Sequence, residues 1–165
     1  MKSKWIIISI LTLAAVGMGY YVLLPDSGSP EIESTVNELP ALSVLKTDGS
    51  AMSLRDTKGK VVLIFFNPDC DHCQREANQI SSQKEIFRNH TVYFISTDSM
   101  QNIDKFAHEY NLIEKNFYFG QVIGEQAFKA MGPMPSVPVI FIYDNQRLVK
   151  KLEGEVALEE IMKFL

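Results

Sequence analysis

Cysteine is scarce in this chain: two residues in 165, Cys70 and Cys73. A pair this close cannot staple a small scaffold, because a bridge over two intervening residues removes little chain entropy. The pair does not complete a zinc site either, since that needs about four ligands. Histidine is equally sparse, at positions 72, 90 and 108, and supplies no second paired motif. Positive charge is not in surplus: 16 Lys and Arg stand against 20 Asp and Glu, a formal net charge of −4. With no basic surface available, nucleic acid is excluded as a partner. No internal repeat is present, and no metal or cofactor is expected. A chain of this length makes one domain with one good core, plus whatever its ends add.

One long uncharged run is present. Lys2 and Lys4 precede twenty residues, 5–24, without a charge, about the span of a bilayer core for a helix. The next basic residue is Lys46, and Asp26, Glu31, Glu33 and Glu38 come before it. By the positive-inside rule the N-terminus stays in the cytoplasm and the rest lies outside. A cleaved signal peptide is the alternative, with Ala15 and Gly17 as small residues at a cleavage site. The anchor is preferred because the apolar run continues past that site to Leu24. No cysteine ends the run, so a lipoprotein is not indicated, and Trp5, Tyr20 and Tyr21 suit interfacial positions. The expectation is a cytoplasmic stub and transmembrane helix over 1–24, or an uncleaved signal. A linker rich in Pro, Gly, Ser and Glu follows over 25–38, and a folded domain over 39–165. Part of the linker packing as an ordered arm is the other reading. Beyond residue 24 the chain carries 14 basic and 20 acidic residues, net −6. The expected location is a cytoplasmic membrane, with a single pass and the domain on the extracytoplasmic side.

The domain is organised around residues 61–73. An apolar run, 61–66, reads as a fully buried strand, which Asn67 and Pro68 end. Cys70 and Cys73 follow, and a helical pattern with Ala77, Ile80 and Phe87 on one face continues to about residue 87. The cysteines therefore stand where a buried strand hands over to a helix N-terminus. Unpaired backbone N–H groups and the helix dipole at such an end favour a thiolate over a thiol.

Around this stretch the pattern is alternating. Asp48-Gly49 reads as the turn of a short hairpin within 42–54. Residues 91–96 read as the next buried strand and 103–112 as a helix. Residues 117–120 read as a short extended piece, and 123–131 as a helix closed by Gly132 and Pro133. A hairpin about Asp144-Asn145 joins 139–143 to 147–152, and 156–165 reads as a final helix. This order indicates an α/β domain with a mixed central sheet flanked by helices.

Those residues carry a resemblance. From about Leu39 to Leu165 the chain resembles the thioredoxin fold and, more narrowly, the membrane-anchored TlpA/ResA-type thiol–disulfide oxidoreductases. The matching features are Asp48-Gly49 leading to Leu54, the run Gly59-Lys60-Val61-Val62, Cys70-Asp71-His72-Cys73, Glu76 three residues on, and Val137-Pro138 before a strand ending at Asp144. The dipeptide between the cysteines is Asp-His, where many relatives carry Pro in the second place. The resemblance implies a cis bond before Pro138, facing the cysteine loop and leaving the backbone of Val137 to pair with an extended substrate. An ordinary trans proline starting a strand is the plain alternative. Met134 and Pro135 read either as an apolar lip to that site or as plain loop. The implied partners are a protein substrate with a disulfide or thiols and a membrane-bound electron donor or acceptor.

The roles follow from position. Cys70 is the exposed attacking thiol, and Cys73, one turn into the helix, resolves the mixed disulfide. A protonated His72 and the acids Asp69 and Asp71 pull the couple in opposite directions, and a solvated loop with Asp71 as a helix cap explains them equally well. From spacing alone Glu76 is either a base for Cys73 or an acid favoured by the helix start. The resemblance favours the base, and Ile64 occupies the place where thioredoxins hold a buried Asp. Two other functions remain open. A thiol peroxidase of the peroxiredoxin type would carry Thr three residues before its cysteine, where this chain has Asn67. A non-catalytic metal carrier would use a wider cysteine spacing and a distant histidine.

Overall fold

The computed structural model describes residues 37–134 and 136–165. The expected anchor, the linker up to residue 36, and Pro135 lie outside the described residues. Among those that are described, no helix is long and apolar enough to cross a membrane.

Seven strands form one mixed sheet. They are β1 (Ser43–Lys46), β2 (Ala51–Ser53), β3 (Lys60–Phe65), β4 (Thr91–Ser96), β5 (Phe117–Gln121), β6 (Val139–Asp144) and β7 (Arg147–Glu153), in the order β2-β1-β5-β4-β3-β6-β7. β3, β4 and β5 run parallel, and every other pairing is antiparallel. The apolar run that reads as a buried strand is β3, held between β4 and β6. Side chains alternate across a strand. Val62 and Ile64 of β3 accordingly join one core layer, and Val61, Leu63 and Phe65 the other.

Among the described residues four helices cover the two faces: α1 (Asp71–Ser82), α2 (Met100–Glu109), α3 (Gly124–Met131) and α4 (Leu158–Met162). α1, α2 and α4 supply Cys73, Ala77, Ile80, Ile103, Phe106, Leu158 and Ile161 to the first layer. α3 supplies Ala127 and Met131 to the second, beside Leu39, Leu42 and Leu54. In a layer so closely packed a β-carbon can be too much: one added at Gly120 would lie 2.7 Å from the Leu45 carbonyl oxygen of the neighbouring strand.

Helix ends are where the structure departs from the periodicity. α1 stops at Ser82 rather than near residue 87. The Ser82 hydroxyl donates back to the Gln79 carbonyl at 2.7 Å, a bond that competes with helix continuation, and Gln83 leaves helical geometry. A separate 3-10 turn, Lys84–Phe87, keeps Phe87 buried, which is why the apolar spacing looked continuous. α2 starts three residues early because Ser99 caps it, its side chain accepting from Asn102 N–H, and Asn111 at φ 52° terminates it. The final helix is only Leu158–Met162, with Ala157 extended ahead of it.

Residues 37–39 lie along β7. Leu39 N–H donates to the Gln146 carbonyl at 2.8 Å, and Asn37 accepts from Leu148 N–H at 2.9 Å. The Leu39 side chain is fully buried.

Candidate active site

The site forms where β3 ends. β3 and β6 pair so that Phe65 faces Val139, which sets the segment before β6 beside the loop after β3. Asn67 shapes that loop. Its side-chain oxygen accepts from Asp69 N–H at 2.8 Å, and its carbonyl accepts from Cys70 N–H at 3.1 Å. An Asn side chain that bonds two residues ahead winds a turn without help from elsewhere. Gln74 closes the loop from the helix side, donating to the Pro68 carbonyl at 2.9 Å.

Cys70 occupies the N-cap position of α1, with an extended backbone and no side-chain cap bond. Asp71 is therefore not the cap; it lies in the first helical turn. Both cysteines are free, Cys70 half-buried and Cys73 buried. The Cys70 thiol lies 3.6 Å from the Val137 carbonyl oxygen and donates to it. The bond between Val137 and Pro138 is cis. Cys70 and the Val137–Pro138 segment, 67 residues apart in sequence, thus share one surface. Met134 is half-buried against the second core layer.

Below the surface sit two groups that water barely reaches. Cys73 and Glu76 are each 2% exposed. Burial pushes the Cys73 thiol up to about 12; a hydrogen bond with Cys70 and the charges of Cys70 and Glu76 add to that, and the Asn67 backbone opposes it. Burial likewise pushes the Glu76 carboxyl up to about 8, against a bond from the Val156 backbone and with a smaller contribution from Glu155. One oxygen of Glu76, Oε1, has no hydrogen-bond partner. A carboxyl in this state is mostly protonated at neutral pH and ionises just above it, the range in which a proton-transfer group works best.

Two residues that the sequence does not single out complete the surroundings. Glu155, in the turn between β7 and α4, takes Arg75 of α1 through both oxygens, at 3.0 Å from Nε to Oε1 and 2.7 Å from Nη2 to Oε2. His72 Nδ1 lies 2.8 Å from Glu155 Oε2 and 2.7 Å from Arg75 Nη2. The spacing of His72 and Arg75 on one helix face is visible in the sequence; their partner 80 residues away is not.

His90, just before β4, and His108, on the last turn of α2, lie apart from the cysteines in the chain and on other elements. Among the described residues no three His, Cys, Asp or Glu side chains group so as to hold a metal ion. At the position three before Cys70, Asn67 spends its side-chain oxygen on the loop.

Solved structures match the fold closely. The thioredoxin domain of a thiol-disulfide oxidoreductase from Bacteroides vulgatus aligns with a TM-score of 0.64 at 22% identity, covering 78% of this chain and 96% of that one. StoA from Bacillus subtilis aligns at 0.60 and 16% identity, covering 77% and 98%. A secreted Mycobacterium tuberculosis disulfide oxidoreductase homologous to E. coli DsbE aligns at 0.62 and 19%, covering 74% and 92%. The fold is thioredoxin-like. No curated protein matches the chain by sequence. The profile of the AhpC/TSA family does, over residues 36–152. That span runs from ahead of β1 through most of β7 and takes in both cysteines, Glu76 and the cis proline, so the chain belongs to the AhpC/TSA family.

Proposed function

We propose that the protein is a thiol–disulfide oxidoreductase that works through a Cys70–Cys73 couple, with Glu76 as the base for Cys73. The observation that carries this is the layering of the site: a half-buried thiol at the start of α1, a buried thiol one turn in, and a buried carboxyl one turn further. The reductive half-reaction balances as follows. The Cys70 thiolate attacks one sulfur of a substrate disulfide; that S–S bond breaks, a substrate thiolate leaves, and a mixed disulfide forms. Cys73 passes its proton to Glu76 and attacks Cys70 Sγ. The second substrate thiolate leaves, and Cys70 and Cys73 end as a disulfide, having given two electrons to the substrate. Forming the mixed disulfide removes the Cys70 charge and its hydrogen bond, both of which hold the Cys73 proton in place. Cys73 is thereby eased toward ionisation when its attack is required. The Val137 carbonyl beside Cys70 lies where an extended substrate backbone would pair. The disulfide so formed would be returned to the dithiol by a membrane-bound electron donor.

The experiment is trapping. Cys73→Ser should accumulate mixed disulfides with protein substrates, and Cys70→Ser should accumulate few. Free-thiol labelling of the parent should rise on treatment with a dithiol reductant. Equal trapping by both variants, or labelling that reductant does not change, overturns the assignment. Steady turnover of a hydroperoxide without disulfide reduction would favour the peroxidase reading, although Asn67 brings no hydroxyl to the position three before Cys70.

The same reading includes a tether. Lys2 and Lys4 before the uncharged run 5–24, with four acids before the next basic residue, support a single-pass anchor with the domain outside the cytoplasmic membrane. Protease added to cells stripped of outer layers should remove the domain. Full protection, or a mature N-terminus near Met18, would refute the tether and leave the chemistry untouched.

A further inference from the structure

We propose that Glu155 is a positioning residue for Glu76, clamping the turn of residues 154–157 onto α1 so that the turn seals the buried carboxyl. This rests on the reading of Glu76 as the base for Cys73. The turn is tied at both ends: Gly154 N–H donates to the Pro138 carbonyl at 2.8 Å, and Leu158 N–H to Gln79 Oε1 at 3.2 Å. Between those ties, the Val156 backbone bonds the Glu76 carboxyl. Glu155, one residue before Val156, fixes the middle of the turn through Arg75 and His72. Gly154 at φ 75° gives the turn its left-handed entry. The turn therefore spans from the cis proline, across Glu76, to the second half of α1.

The clamp is strong for a surface pair. The Arg75 guanidinium meets both carboxylate oxygens, the geometry in which such pairs gain most, and the Glu155 side chain is only 24% exposed. Arg75, then His72, hold the Glu155 carboxyl below the usual range, so it stays ionised wherever Glu76 titrates. His72 Nδ1 donates to Glu155 when it carries a proton and accepts from Arg75 when it does not. The cluster keeps a partner for it in either state.

The titratable groups acting on Glu76 are Cys73, from α1, and Glu155, from the turn; Arg75 and His72 act through Glu155. The other buried members of this layer are apolar, among them Phe66, Ala77, Leu158 and Ile161. The sealing role and a bare charge effect predict opposite results for one variant. Removing the negative charge by Glu155→Gln makes Glu76 easier to ionise on either account. Arg75→Gln leaves the Glu155 charge in place without its counter-ion. Charge alone then makes Glu76 harder to ionise, and so does loss of the Val156 bond, whereas the water that a loosened turn admits makes it easier. Exclusion from water is the largest influence on this carboxyl, so the loosened turn should prevail.

The test is a carbon-13 NMR titration of the Glu76 carboxyl in the full-length reduced protein, identified by the signal lost in Glu76→Gln. It is paired with amide hydrogen exchange at Val156. Both Glu155→Gln and Arg75→Gln should lower the Glu76 midpoint, by about one pH unit, and speed exchange at Val156. An upward shift in Arg75→Gln, or unchanged exchange at Val156, overturns the clamp. The pH profile of disulfide reduction separates the two readings. If the NMR midpoint moves and the acid limb of the profile does not, the clamp stands and Glu76 is not the base. If both move together, both readings hold.

Discussion

Glu76→Gln should slow resolution of the Cys70 mixed disulfide by about 10-fold to 1000-fold near neutral pH, overlapping the lower part of the roughly 100-fold to 10,000-fold range for a positioned general base. The reason is the mismatch between the task and the thiol. Cys73 must attack as a thiolate, yet burial pushes it up to about 12. On the proposed mechanism the carboxylate of Glu76, formed near pH 8, takes that proton. The shape of the comparison is as telling as its size. Below about pH 8 the parent slows as its carboxylate protonates, and the variant slows in parallel because its thiolate fraction falls at the same rate. The ratio is then constant. Above pH 8 the parent levels off while the variant continues to rise, so the two converge. An ordinary thiol would close the gap near 8.5; burial of Cys73 postpones it, since burial remains the largest influence after Cys70 is consumed. The measurement is single-turnover reduction of a model protein disulfide by both forms from pH 5 to 10. Superimposed profiles would leave Glu76 as an acid that merely suits a helix start.

Much of the fold can be read from the sequence because the informative patterns are local. The unbroken apolar run ahead of the cysteines marks β3, and its burial on both sides is what such a run means. Asp48-Gly49 marks the β1–β2 turn, with Gly49 at φ 81° as that turn requires. Helix ends are less legible because they depend on particular side-chain bonds, such as the Ser82 hydroxyl on Gln79 and the Ser99 cap of α2. The brevity of α4 follows from the turn ahead of it, whose path is set by contacts with α1 and Pro138.

The candidate site divides along the same line. Cys70, Cys73 and Glu76 lie within seven residues and share one helix, so their juxtaposition follows from spacing. Val137 and Pro138 reach the site by strand pairing, since β6 lies beside β3; the sequence locates them only through resemblance. Arg75 and Glu155 belong to neither class. Nothing local distinguishes Glu155 from the other acids near the C-terminus, and its meeting with Arg75 depends on β7, the turn and α1 all being in place. The proposed clamp ties the burial of Glu76 to that same meeting.

That burial should also be measurable as instability. Glu76→Gln should remove a pH dependence from the folding free energy of the reduced protein and should be the more stable form above pH 8. In the unfolded chain a glutamate ionises near its ordinary value of 4.5, and in the folded protein near 8. Below 4.5 the carboxyl is protonated in both states and costs nothing extra. Between these values the unfolded chain gives up its proton and the folded protein keeps it, so stability falls as pH rises, by about 1.4 kcal/mol per unit. Above 8 both states are ionised and the loss levels off, at on the order of 3–5 kcal/mol. Glutamine fills the same volume and carries no proton to lose, so its curve lacks this slope. The oxygen that already lacks a partner, Glu76 Oε1, means that the amide forfeits little hydrogen bonding. Urea unfolding of both reduced forms at pH 5, 6.5 and 8.5 reads the difference directly, as a gap that opens with pH. Parallel curves would mean that water reaches Glu76, and a carboxyl in contact with water would lack the raised midpoint that fits it to accept a proton from Cys73. On the proposed mechanism the cost in stability and the capacity to take that proton arise from one arrangement, as stability–activity trade-offs at active sites do.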